Sequence, residues 1–185
     1  MTLYIDCEFN GFLGELVSMA LIDTNGNIWY EVLECFNPTD WMALNVIPVL
    51  NKKPIGVEEF QSSLADFLKQ YSSIHLVADW CEDITHFCQT LILAPGKCID
   101  IPSWTMEVRR DIDAPSMIPH NALEDAKAIR IMALEKKNYR LLVRNEIIEK
   151  NDEMLLDDCI AWEKIDRFIG NRYDPTFFVP IRRKT

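Results

Sequence analysis

The stretch that most limits how this chain can fold is Leu3-Tyr4-Ile5-Asp6-Cys7-Glu8-Phe9-Asn10-Gly11. It alternates as a strand does, with Leu3, Ile5, Cys7 and Phe9 on one side and Tyr4, Asp6 and Glu8 on the other. Consecutive same-side positions lie roughly 7 Å apart at Cα, so two carboxylates can reach one pair of divalent ions about 4 Å apart. Without a cation the acids repel, and burying them unpaired is costly. Such a strand either holds metal or weakens the sheet around it.

The segments that follow supply that sheet. Glu15 to Asp23 reads as a strongly apolar strand, Thr24-Asn25-Gly26-Asn27 as a tight hairpin turn, and Ile28 to Cys35 as a third strand. Three strands so closely joined are antiparallel neighbours. Pro38 to Pro54 is a connection with a short helical turn around Trp41 to Asn45. Val57, Phe60, Leu64, Phe67 and Tyr71 recur at helical spacing, and Ile74 to Ala78 is a fourth strand. A second helix carries Ile84, Phe87, Cys88 and Leu91 on its inner stripe and stops at Pro95-Gly96, after which Lys97 to Ile101 reads as a fifth strand. Strands separated by helices indicate parallel crossovers. Pro102 to Pro119 reads as an irregular surface loop.

A well-marked helix begins at Asn121, an N-cap with Glu124 three residues on, close to a capping box. Ala122, Ala126, Ile129 and Ala133 form its buried stripe, and Asp125 projects only about 40° from Ile129, toward the sheet edge. Beyond Asn138 the pattern turns helical again at Leu141, Leu142, Ile147 and Ile148, then from about Met154 to Ile169, with Gly170-Asn171 as a C-cap pair. The division expected is a domain over 1–137 and a helical extension over 138–185 packed on it.

Composition narrows the class. At 185 residues, 49% hydrophobic and 26% charged, the chain has enough to bury a substantial core in one domain. No apolar run reaches the roughly 18 residues that a membrane span needs, and a strand pattern stands where an export signal would, so a soluble cytoplasmic protein is expected. Six cysteines (Cys7, Cys35, Cys81, Cys88, Cys98, Cys159) include no C-x-x-C pair, and three histidines do not complete a Cys/His zinc set, which favours reduced thiols and argues against structural zinc. A net charge of −10 argues against coating nucleic acid by bulk attraction. It is compatible with an enzyme that handles a strand end, where bound ions supply the positive charge, and equally with acidity that serves solubility.

Asp6-x-Glu8 on the first strand, an acid after the fourth, and His120-x-x-x-x-Asp125 at the start of a late helix together resemble the DEDD family of 3′–5′ exonucleases in its DEDDh branch. That branch includes a bacterial proofreading subunit, ribonuclease T and oligoribonuclease. His120-Asn121-Ala122-Leu123-Glu124-Asp125-Ala126 is similar to the family's third motif and Asp6-Cys7-Glu8-Phe9 to its first, over roughly residues 2 to 137. The second motif departs from the pattern: Ala78-Asp79-Trp80-Cys81-Glu82-Asp83 lacks the usual small polar turn. Asp83 fits the Asp-x-x-x-Phe spacing to Phe87 and is assigned the role, with Asp79 as competitor and an N-cap as the plainer account of Asp83.

The resemblance implies an α/β fold of ribonuclease H-like form: a mixed five-stranded sheet, its first three strands antiparallel, with helices on both faces. It implies two Mg2+ or Mn2+ ions held by Asp6, Glu8, Asp83 and Asp125, with His120 as general base. The implied reaction releases nucleoside 5′-monophosphates from the 3′ end of single-stranded nucleic acid, RNA slightly favoured over DNA. Restriction to short RNA, or a catalytically silent binding module, are the alternatives. Phe9, Asn10 and Gly11 stand where the family's first motif meets the terminal nucleotide, though Phe9 also continues the core face. Trp80 is either a stacking platform or packing, and Arg109 and Arg110 either hold a backbone phosphate or form a solvated charged loop. His75 and His86 read as structural. The apolar faces of the C-terminal helices raise self-association into a homodimer.

Overall fold

In the computed structural model of the protein, residues 1–113 and 115–149 are described, 138–149 as helix backbone only. The chain divides into two compact units, Met1–Ile131 and Met132–Thr185, and the sheet and candidate site belong to the first. The described part of the second is the continuation of one helix.

β1 (Thr2–Phe9) is the middle of the mixed sheet. It pairs antiparallel with β2 (Leu16–Asp23), which pairs antiparallel with β3 (Ile28–Val32). On its other side β1 runs parallel to β4 (Ser73–Ala78), with Tyr4 opposite Val77. The sheet therefore has the five strands and the antiparallel first three that the sequence predicts. At the β2–β3 hairpin Gly26 takes φ +98°, and the Asp23 carboxylate accepts the backbone N–H groups of Asn25 and Asn27 at 2.8 and 2.9 Å. That is the turn chemistry expected of Asn-Gly.

The outer strand is where the structure corrects the sequence reading. Only Lys97–Cys98 (β6) of the expected 97–101 strand is extended, and it pairs with Ile92–Ala94 (β5) in a separate two-stranded hairpin turned at Gly96, φ +72°. The fifth strand of the main sheet is β7 (Ser103–Val108), parallel to β4 and inside the segment read as a loop. An edge strand has neighbours on one side only, so β7 is mostly exposed and lacks a dense apolar signature, and the adjacent prolines hide it further.

Alternation on β1 sorts its two faces. Leu3, Ile5 and Cys7 join Met19, Leu21 and Leu76 against Phe60, Leu64 and Leu68 of α2 (Val57–Leu68) and Ile84 and Phe87 of α3 (Cys81–Thr90). α1 (Asp40–Asn45) lies in the connection expected to hold one helical turn. α4 (Ala122–Glu149) meets the other face through its first turns, burying Ala122, Ala126 and Ile129, and the Arg130 guanidinium donates to the Asp23 and Thr24 carbonyls. Asn121 Oδ1 accepts the Glu124 N–H at 3.1 Å, as an N-cap does. The reciprocal arm of the capping box is absent, since Glu124 instead pairs with Lys127 at 2.7 Å. α4 continues without a break through Asn138, where a boundary was expected. The Met154–Ile169 helix, the Gly170-Asn171 cap and Cys159 lie outside the described residues. Among the described residues no helix is long and apolar enough to cross a membrane.

Candidate metal centre

Three elements deliver acids to one end of the central strands. β1 presents Asp6 and Glu8 on the face opposite the core, the turn after β4 and the start of α3 present Asp79 and Asp83, and the first turn of α4 presents Asp125. They form two groups that share Asp6. Ligand atoms of Asp6, Glu8 and Asp125 lie within 4.8 Å of one another, as do those of Asp6, Asp79 and Asp83. Either trio can hold a metal ion. Asp79 and Asp83, competitors on sequence grounds, are thus both brought to Asp6.

Burial makes this arrangement expensive. Asp83 is 2% exposed, and its Oδ1 accepts the Cys7 backbone N–H at 3.1 Å, tying α3 to β1. Among the described residues, its Oδ2 and the Oδ2 of Asp6 are buried without a hydrogen-bond partner. The fully buried Asp23 provides the contrast, with carboxylate oxygens that take hydrogen bonds from Asn25, Asn27 and Tyr71. Burial opposes ionisation of Asp23, yet those bonds hold its pKa below the ordinary value. Native proteins satisfy nearly all buried polar atoms. Where this chain needs a buried aspartate for structure, it does so. The orphan oxygens of Asp6 and Asp83 therefore fit a cation as their missing partner.

The electrostatics agree with the geometry. Burial, then the charges of Asp83, Glu8, Asp125 and Asp79, push Asp6 well above the usual carboxylate range. Burial and the neighbouring Asp79 do the same to Asp83, against the Cys7 N–H that favours its ionised form. Glu8 is pushed up to about 8 by burial and by Asp125. Asp79 and Asp125 are also raised, chiefly by burial. Such mutual repulsion is relieved when divalent cations neutralise the acids.

His120 borders this cluster. It is exposed and sits at φ +65°, a left-handed conformation uncommon outside glycine. Its backbone N–H donates to Asp125 Oδ2 at 3.1 Å, and its ring meets the Trp41 ring edge-on at 4.9 Å. The Trp41 contact was not foreseen. Nothing in the spacing of residues 41 and 120 signals it, because α1 and α4 meet only once the chain has folded.

The remaining predicted residues separate into anchored and open groups. Asn10 spends both ends of its amide on the loop at 37–39, donating to the Asn37 carbonyl and accepting the Thr39 N–H. Gly11 takes φ +80° in the same turn. The Phe9 ring lies 5.0 Å from His86, packed against the core. Arg109 is held by Asp111 through two hydrogen bonds of 2.8 and 2.6 Å, with Glu107 at 3.6 Å. Arg110 donates to the Asp79 carbonyl at 2.9 Å and lies 4.1 Å over the Trp80 ring. Trp80 is 45% exposed, and its indole N–H donates to Glu82, which also accepts the Leu13 N–H. Glu82 was not singled out from the sequence, although it ties the turn at 80 to the loop at 13. His75 meets Thr105 at 2.8 Å and Glu107 at 3.2 Å on the adjacent strand. Compared by sequence, no protein-family model and no curated protein matches this chain.

Proposed function

We propose that the chain is a metal-dependent 3′–5′ exonuclease of ribonuclease H-like fold, acting on single-stranded nucleic acid and releasing nucleoside 5′-monophosphates. The observation that carries the reading is the pair of carboxylate trios sharing Asp6, with His120 beside Asp125. Five carboxylates offer only oxygen, the donor that suits Mg2+ or Mn2+ rather than zinc. When bound, such ions lower the pKa of a water and offset charge on the phosphoryl oxygens and the leaving group.

The chain's own residues account for the rest. Asp6 serves both trios, so losing it removes a donor from each. His120 is exposed to solvent, its backbone N–H is held by Asp125 and its ring packs against Trp41. Imidazole is the side chain suited to taking up a proton near neutral pH, as a general base must. Trp80 offers an exposed ring near Asp79 and Asp83, where a nucleobase can stack. Arg110 lies over that ring and supplies positive charge close to the acids.

Digestion of matched RNA and DNA single strands, from 5-mer to 30-mer, tests the proposal beside Asp6→Ala. Mononucleotide release from the 3′ end that requires Mg2+ or Mn2+ and vanishes in the variant is the expected result. Intact strands across pH 6 to 9 with manganese present would leave only a silent exonuclease fold. Cleavage confined to the 5-mer would restrict the substrate to short oligomers.

A further inference from the structure

We infer that Asp79 is a fifth carboxylate of the centre, acting with Asp83 rather than in place of it, so that Asp6, Asp79 and Asp83 hold a divalent cation distinct from the one at Asp6, Glu8 and Asp125. The inference rests on the metal-dependent reading above and goes beyond it, because the four acids and the histidine of the motif pattern leave Asp79 without a role.

Geometry separates the two positions. Asp79 closes a trio with Asp6 and Asp83 at 4.8 Å or less, and the Asp6, Glu8 and Asp125 trio does not include it. An independent observation points to a ligand in the Asp79 trio. Asp83 is 2% exposed, and among the described residues its Oδ2 has no hydrogen-bond partner. Its Oδ1 is engaged by the Cys7 N–H, which fixes the carboxylate where it is. A carboxylate so placed beside two others has one buried oxygen that no donor meets, and a cation bound among the three supplies its partner.

The turn that carries Asp79 is also braced. Arg110 donates to its carbonyl, lies over the next residue, Trp80, and Trp80 is hydrogen-bonded to Glu82. These contacts fix the Asp79 backbone beside Asp6 and Asp83. Mg2+ commonly takes only one or two carboxylates and keeps several waters. A position with three acidic donors is accordingly expected to bind its ion tightly, so that both ions are present before substrate arrives.

Mn2+ titration of the metal-stripped full-length chain, followed by calorimetry and by the electron paramagnetic resonance signal of free Mn2+, tests this without reference to activity. Wild type is expected to bind two ions. Asp79→Asn is expected to keep one at unchanged affinity and to weaken the other about ten- to hundredfold. Asp83→Asn is expected to weaken the same ion, and Glu8→Gln the other one. Asparagine is isosteric and removes a repelling charge, so the metal-free variants are expected to fold, as circular dichroism will report. Two ions unaffected by Asp79→Asn would overturn the fifth-ligand role and leave the nuclease reading standing. Equal weakening of both ions would reduce Asp79 to diffuse charge and overturn it too. A single ion in wild type would remove the second site, and no bound ion would remove the metal-dependent reading itself.

Discussion

His120 meets Asp125 through its backbone rather than its ring, since the N–H, not the imidazole, contacts that carboxylate. Removing the ring therefore takes away a proton acceptor without removing a carboxylate. His120→Ala is expected to lower nuclease kcat by about 10²- to 10⁴-fold, the usual span for a lost general base. Mn2+ binding by the same protein is expected to survive, because no carboxylate ligand is removed. A fall in metal affinity matching the fall in kcat would instead assign the ring to the metal centre. At this scale the acids were the legible part of the site. Asp6 and Glu8 announced themselves through strand alternation, and Asp125 through its position beside an apolar helical stripe. Asp79 and Asp83 were both visible as acids after a strand, but spacing along one turn cannot say that two side chains converge on a third from another strand. Anchoring was hidden for the same reason: the Asp111 partner of Arg109 and the loop partners of Asn10 depend on how the backbone turns.

Elements reach the site through a few hydrogen-bonded joints, and these are where local changes should have measurable effects. Asn121 is 3% exposed, caps α4 through the Glu124 N–H and also donates to the Val49 carbonyl at 2.7 Å. Asn121→Ala removes both bonds, so a loss of about 1–3 kcal/mol is expected, read as a lowered denaturation midpoint at unchanged m-value. A loss below about 0.5 kcal/mol, the range of an ordinary surface change, would mean that neither bond matters to the native state. The loop after β1 has a different constraint. A Cβ on Gly14 would stand 2.0 Å from the Asn10 carbonyl oxygen, a backbone atom that has no rotamer to move aside. Gly14→Ala is thus expected to displace the 10–14 loop and lower the thermal midpoint, whereas Gly26→Ala meets nothing within 4 Å and is penalised only for its positive φ. An equal midpoint for the Gly14 variant and wild type would overturn the packing account. Element boundaries were legible where apolar periodicity was strong, as in β1, β2, α2 and α3. They were obscured in β7, whose hydrophobic residues are largely exposed at the sheet edge, and in β5 and β6, where Pro95-Gly96 marks a hairpin rather than the entry to a sheet strand.

Across the whole molecule, the carboxylates gathered at Asp6 couple folding to pH and to metal. Asp6, Glu8, Asp79, Asp83 and Asp125 all have folded-state pKa values above their ordinary ones, that of Glu8 reaching about 8. In the unfolded chain the same groups titrate near their ordinary values of about 4. Between these limits the native state binds more protons than the unfolded one, so native stability falls as pH rises through the window. The metal-free protein, held in chelator, is therefore expected to lose stability steadily from pH 5 toward pH 8. A divalent cation binds the ionised cluster and not the protonated one, so its stabilisation runs the other way with pH. At a hundredfold excess over Kd one ion contributes about 2.7 kcal/mol. Thermal midpoints at pH 5.5 and pH 8, each with chelator and with saturating Mg2+ or Mn2+, should show a much larger metal-dependent rise at pH 8. Stability that rose with pH in chelator, or a metal shift equal at both pH values, would mean that the acids are paired within the protein, and the sharing of Asp6 between two trios would lose its electrostatic basis.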